Sequence, residues 1–204
     1  MRERPQGGVT SILDDVAHAS APHRLPRPPG WLVAGAATAL IALAAGSATL
    51  GVVVVTAVLV VHAAVIDART SRIPNRLVLR GVASVASGVA LSPWLDDRSL
   101  GSAAGRAGWG LALCGAPLLL VLWVLRPTAV GGGDWKLLAV LGAAVGLASP
   151  VAAVVMTFVA CAVQVVASVV RRTPVMPFAP SLAIGFAAAL ATIPTLASLL
   201  GGTS

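Results

Sequence analysis

The sequence predicts an all-α, polytopic membrane bundle of about seven transmembrane helices, with six to eight as the range. Three observations carry that reading. Hydrophobic residues make up 57% of the 204 and charged residues only 10%, where a soluble domain carries about 25% charge. Mean hydropathy is +0.93. The apolar stretches have the length of membrane helices, about 20 residues, and lack the ten-residue alternation of a membrane barrel.

The net charge of +7 does not point to nucleic acid. The basic residues sit in short loops between apolar runs and in the N-terminal tail, which is the pattern of topology signals. Cys114 and Cys161 lie inside apolar stretches and form no CxxC pair. They read as small buried hydrophobes, and neither a zinc site nor another metal or cofactor is expected.

Residues 1–30 contain Arg2, Arg4, Arg24, Arg27 and several prolines, a composition that predicts a disordered tail. No secretory signal is visible in it. Trp31 to Ile66 is uncharged and too long for a single span of about 20 residues. A break near Gly46-Ser47-Ala48-Thr49-Leu50-Gly51 gives spans near 31–48 and 51–66. His62 falls in the second span. On a helix it points about 140° away from Asp67, so it reads as a hydrogen-bonding partner of a neighbouring helix. Asp67 to Arg80 reads as a basic connector, with Arg69, Arg72, Arg76 and Arg80 in it. Pro74 ends any helix before Ile73, and Asn75 is placed to cap the next.

A span near 76–94 follows, ended by Pro93 and Asp96-Asp97-Arg98, and a span near 107–125 returns, closed by Arg126-Pro127. Gly131-Gly132-Gly133 comes next, three residues that hold a helix poorly, and Asp134 opens a span to Ser149. Pro150 suits the first turn of the next span, which ends at Arg171-Arg172 and carries Gln164 as an interhelical hydrogen-bonding group. Pro174, Pro177 and Pro180 precede a last span near 181–200.

Charge tests the count. With the tail in the cytoplasm and sides alternating, twelve of the fourteen basic residues lie inside, and only Arg98 and Arg106 lie outside. That agrees with the positive-inside rule. It also places the Asp67 connector and the Asp134 loop on one face of the membrane.

Those two acids alone abut apolar helices on that face. An acid at the mouth of a membrane helix is costly, and by default it marks a functional site. Two carboxylates close together in a poorly solvated place cannot both ionise easily, so one keeps a proton and the pair titrates as a unit. One can draw a proton from water while the other protonates the carbonyl under attack. The glycines offer main-chain groups for an extended substrate strand. Taken singly, each acid has a plainer reading: Asp134 as a helix-start residue, and Asp67 as an anchor paired with Arg69, Arg72 or Arg76.

Taken together, the motifs are specific. Asp67-Ala68-Arg69-Thr70-Ser71-Arg72-Ile73-Pro74-Asn75 resembles the first catalytic motif of the type IV prepilin peptidases. Gly131-Gly132-Gly133-Asp134-Trp135-Lys136-Leu137 resembles their second, the GxGD signature followed by Lys-Leu. Met176-Pro177-Phe178-Ala179-Pro180 is similar to their Pro-Phe-Gly-Pro segment, with Ala179 where the family has Gly.

The resemblance, over roughly residues 51–200, implies a transmembrane aspartic peptidase domain at 31–204 with Asp67 and Asp134 as its catalytic pair. Arg69, Pro74 and Asn75 would shape the first acid's loop, and Gly131, Gly133 and Lys136 the second's, with Pro177 and Phe178 supporting the site. It implies prepilin or pseudopilin substrates, cut at the cytoplasmic face of the bacterial inner membrane between a short basic leader and an apolar helix. Pilus or type II secretion machinery would be the partner assembly, beside the lipid bilayer. Larger members carry an N-terminal domain with zinc-binding CxxC pairs that accompanies N-methylation. Residues 1–30 stand in its place, so peptidase without methyltransferase activity is expected. The short form looks like the peptidases of tight-adherence pilus systems. Two other classes use the same residues: a proton-coupled transporter with an acid relay, and a non-catalytic pilus assembly factor.

Overall fold

A computed structural model describes residues 29–125, 132–172 and 177–193. The described residues form seven helices: α1 (Gly30–Ala45), α2 (Ala48–Thr70), α3 (Asn75–Leu95), α4 (Leu100–Leu125), α5 (Gly132–Ala148), α6 (Pro150–Arg171) and α7 (Ala179–Ala191). Among them α2, α3 and α6 are each long and apolar enough to cross a membrane, while α1 and α7 are shorter apolar helices. The described residues form a helical bundle, and its seven helices agree with the membrane architecture the sequence predicts. The expected tail lies outside the described residues up to residue 28, as does the end of the last span beyond residue 193.

The break in the first apolar stretch falls where expected. Gly46 closes α1 at φ 64°, a left-handed conformation that glycine adopts without a Cβ penalty. Ser47 then caps α2, its hydroxyl accepting from the Leu50 amide. Other boundaries move. α2 runs past Asp67 to Thr70, where Ser71 takes a left-handed conformation and its amide donates to the Asp67 carbonyl at 2.7 Å. Asp67 and Arg69 therefore stand in the last turn of a helix, and the connector shrinks to residues 71–74. α3 passes through Pro93 to Leu95, so the proline forfeits one main-chain bond without ending the helix. α4 starts seven residues earlier than expected, since Ser99 caps it through the Ser102 amide, and Arg106 becomes a helical residue.

In lipid the hydrophobic effect does not drive helices together, so they associate by close backbone approach at small residues and by polar contacts. α4 and α5 meet at Gly110, Gly142 and Gly146, where a Cβ on Gly110 would strike the Gly142 carbonyl and the Gly146 Cα. α1 and α3 share the buried Thr38–Ser84 hydroxyl bond at 2.8 Å. α6 and α7 are joined by the Ser181 hydroxyl donating to Gln164 Oε1 at 2.7 Å, the interhelical role expected of Gln164. A core built from Val60, Leu138, Leu141, Met156, Leu182 and Phe186 gathers α2, α5, α6 and α7, and Cys114 of α4 is buried in it. Among the described residues His62 bonds no neighbouring helix; it is exposed.

The two ends of the bundle differ. At the end carrying Ser47, Asp96 and Ala148, the Asp96 carboxylate accepts from the Ser47 and Thr49 hydroxyls and from the Ala48 and Thr49 amides. It thus satisfies the opening amides of α2 from another helix's end. Arg98 donates to the Leu147 carbonyl at 3.0 Å and Arg106 to Leu147 and Ala148, closing the C-terminus of α5. Replacing an acidic or hydroxyl cap by alanine typically costs about 0.5–2 kcal/mol. Asp96→Ala should therefore lower the thermal unfolding midpoint in detergent measurably, and Asp96→Asn, which keeps an acceptor, should lower it less.

Candidate active site

The opposite end of the bundle gathers the sequence motifs. Asp67 is 3% exposed, a depth at which a carboxylate must find a hydrogen-bond donor. Its donor comes from far along the chain: the Ala179 amide bonds Asp67 Oδ2 at 3.1 Å. Ala179 is the first residue of α7, preceded by Phe178 in the capping position and followed by Pro180 in the first turn. Proline suits that turn because its missing N–H has no partner there, and the free amides of a helix start favour an anionic group. Phe178 packs half-buried against the core, and Ala179 is fully buried. The residues 177–180 segment thus brings a helix N-terminus onto the first acid.

Asp134 stands on the first turn of α5, half-buried. The helix begins at Gly132, so Gly132 and Gly133 are helical, contrary to the expectation that Asp134 itself opens the span. Interior glycine weakens a helix, but the first turn has few intrahelical bonds to lose. What Gly133 provides is space. A Cβ there would lie 3.1 Å from Ile73 Cβ and 3.3 Å from the Ile73 carbonyl oxygen. The loop of the first motif therefore rests directly on the start of the second. A further contact crosses between them: Lys136 Nζ donates to Asn75 Oδ1 at 3.5 Å, exposed and at the outer limit of a hydrogen bond.

Asn75 is corrected by that contact. Pro74 takes the capping position of α3, with no side-chain cap, and Asn75 is the first helical residue with its amide oxygen turned to Lys136. Arg69, Arg72 and Arg76 are exposed, and among the described residues Asp67 forms no ion pair. The anchor reading of Asp67 gives way to a buried, amide-bonded carboxylate. Thr70 ties the loop together, its hydroxyl bonded to the Ile66 and Arg72 carbonyls. Gly131 lies outside the described residues. Pro177 and Phe178 are half-buried beside Ala179.

Asp67 and Asp134 thus occupy the same end of two helices that pack on each other, α2 and α5. Such a pair can carry out acid–base chemistry on a carbonyl without a covalent intermediate. The residue that sequence reasoning missed is Ala179, whose role lies in its main chain; the Pro180 helix start was the available signal.

The sequence profile of the type IV leader peptidase family matches residues 52–166. That stretch is more than half of the chain and contains Asp67, the 73–75 loop, Gly133, Asp134 and Lys136. No curated protein and no solved structure matches the chain.

The Ala179 amide sets a stability test. Asp67→Ala would leave a buried donor unsatisfied, at a cost of about 1–3 kcal/mol. Asp67→Asn keeps an acceptor at the same place. Thermal unfolding in detergent should show a clear loss for Asp67→Ala and a smaller one for Asp67→Asn.

Proposed function

The chain belongs to the type IV leader peptidase family, and from that membership we propose that it is a membrane-embedded aspartic endopeptidase with Asp67 and Asp134 as its catalytic pair. Its substrates are prepilins or pseudopilins, from which it removes the short basic leader. The observation that carries the reading is the junction of the two motifs, where Ile73 rests on Gly133 and Asn75 meets Lys136.

In the proposed reaction one carboxylate takes a proton from water as the water oxygen bonds to the scissile carbonyl carbon. The other, protonated, gives its proton to the carbonyl oxygen. The tetrahedral intermediate then collapses: the C–N bond breaks, the nitrogen leaves as an amine carrying the proton first taken from water, one hydroxyl returns its proton to the second carboxylate, and the carbonyl reforms as a carboxylic acid. The Ala179 amide holds Asp67 Oδ2 and leaves Oδ1 to water and substrate. Pro74, Asn75 and Arg69 set the first acid's loop, Gly131, Gly133 and Lys136 the second's, and Pro177 and Phe178 place the Ala179 amide. The reaction needs no metal or cofactor.

Two further features support the reading. The acids lie at helix ends, whereas a proton relay for transport would place them near the bilayer midplane. Twelve of the fourteen basic residues fall on the acids' side of the alternating topology, which favours a cytoplasmic site in the bacterial inner membrane.

Co-expression with a prepilin from the same genome, followed by gel shift, tests the assignment. Wild type should remove the leader, while Asp67→Asn and Asp134→Asn, expressed at the same level, should leave the precursor intact. Cleavage by either variant at the wild-type rate would remove that residue from the chemistry. Lys136→Ala, which loses only the long exposed contact to Asn75, should slow cleavage several-fold without abolishing it, as expected for a contact of about 0–1 kcal/mol.

A further inference from the structure

An open groove of roughly 910 Å³ runs between α1, α2 and α3, away from the two acids. Its walls are apolar, among them Trp31, Ile41, Val54, Val58 and Leu79, and its polar lining comes from Arg76 and Arg80. The two arginines are one helical turn apart at the start of α3, so their side chains share a face. The Arg80 guanidinium lies against the start of α1: a Cβ on Gly30 would come within 2.6 Å of its Nε and Nη2. Among the described residues neither arginine has an acidic partner. Two unpaired cations therefore stand at the mouth of an apolar channel.

The length of the channel identifies what fits it. Gly30 at the mouth and Ile41 at the far end are eleven residues apart on α1, about 16 Å at 1.5 Å per residue. That is half of the roughly 30 Å hydrocarbon core. A membrane-spanning protein helix would continue through both leaflets, and one bearing a basic leader would meet two like charges at the mouth. A free phosphate would use the arginines and leave the apolar walls uncovered. We propose that the groove binds an anionic phospholipid from the leaflet on the acids' side, its phosphate between Arg76 and Arg80 and one acyl chain along α1 and α2. Basic pockets between membrane helices recognise anionic headgroups in this way. Arg76 directly follows Asn75 in the sequence, so the headgroup sits beside the loop that rests on Gly133.

Native mass spectrometry of the full chain in detergent, titrated with phosphatidylglycerol and with phosphatidylcholine of the same acyl chains, tests the proposal. Phosphatidylglycerol should be retained preferentially, and Arg76→Gln/Arg80→Gln should weaken it by about thirtyfold, roughly fivefold for each arginine. Arg171→Gln/Arg172→Gln, a pair exposed at the end of α6, should leave it unchanged. Val58→Trp, which fills the groove with both arginines in place, should also release the lipid. Equal loss from the Arg171/Arg172 pair would reduce the effect to general surface charge and overturn the site. So would retention by the Arg76/Arg80 variant, full displacement by inorganic phosphate, or one-for-one displacement by a prepilin.

Discussion

The bond from the Ala179 amide to Asp67 is the contact on which the acid end of this bundle depends. It spans 112 residues of sequence and supplies a buried carboxylate with the donor it requires. Its geometry is set by the seating of α7. That seating rests in turn on the Ser181–Gln164 bond, on Leu182 and Phe186 in the core, and on Gly185, whose missing side chain lets α7 approach Met156 and Ala160 of α6. A helix hairpin that contains neither acid therefore determines how one of them is held. Changes along α6 and α7 reach Asp67 through this amide, beside the packing of both helices on α5.

The two ends of the bundle use their polar residues differently. At the Asp96 end nearly every one is committed: Asp96 closes the start of α2, and Arg98 and Arg106 close the end of α5. These two arginines are the exceptions to the positive-inside distribution, and both are occupied with main-chain carbonyls. At the acid end, Arg69, Arg72 and Arg76 are exposed and the Lys136–Asn75 contact is long. A structure that is tied at one end and more loosely held at the other concentrates its capacity for local opening at the acid end.

How much of this could be read from the sequence depends on the kind of contact. The number of helices and the break at Gly46-Ser47 were legible, because membrane helices must be apolar over a fixed length and must end with recognisable caps. The placement of Asp67 and Asp134 at one end of the bundle was legible from charge and alternation. Less visible were features that depend on a neighbour. Ser99 extends α4 by a local hydroxyl cap that the charged Arg106 obscured. Asn75 was free to bond Lys136 because Pro74 had taken the capping position. The partner of Asp67 was signalled only by the helix start at Pro180, since a main-chain amide carries no residue signature.

The position of the acids also bears on a difficulty that the proposed proteolysis raises. A peptide bond inside a helix in lipid has its N–H and C=O already paired, and opening it in hydrocarbon would leave those groups unsatisfied. In the proposed reaction both requirements, water and an unwound strand, are met at the end of the bundle and not at its middle. The first amides of α5 have no intrahelical acceptor, and Gly132 and Gly133 carry no side chains of their own to cover them. They stand on the turn that carries Asp134, where an extended segment could pair with them. A residue larger than glycine at 133 would cover those amides and, at 3.1 Å from Ile73 Cβ, push the Asp67 loop away as well. The same missing side chain thus serves the approach of the two motifs and, in the proposed reaction, the access of a substrate strand to the main chain.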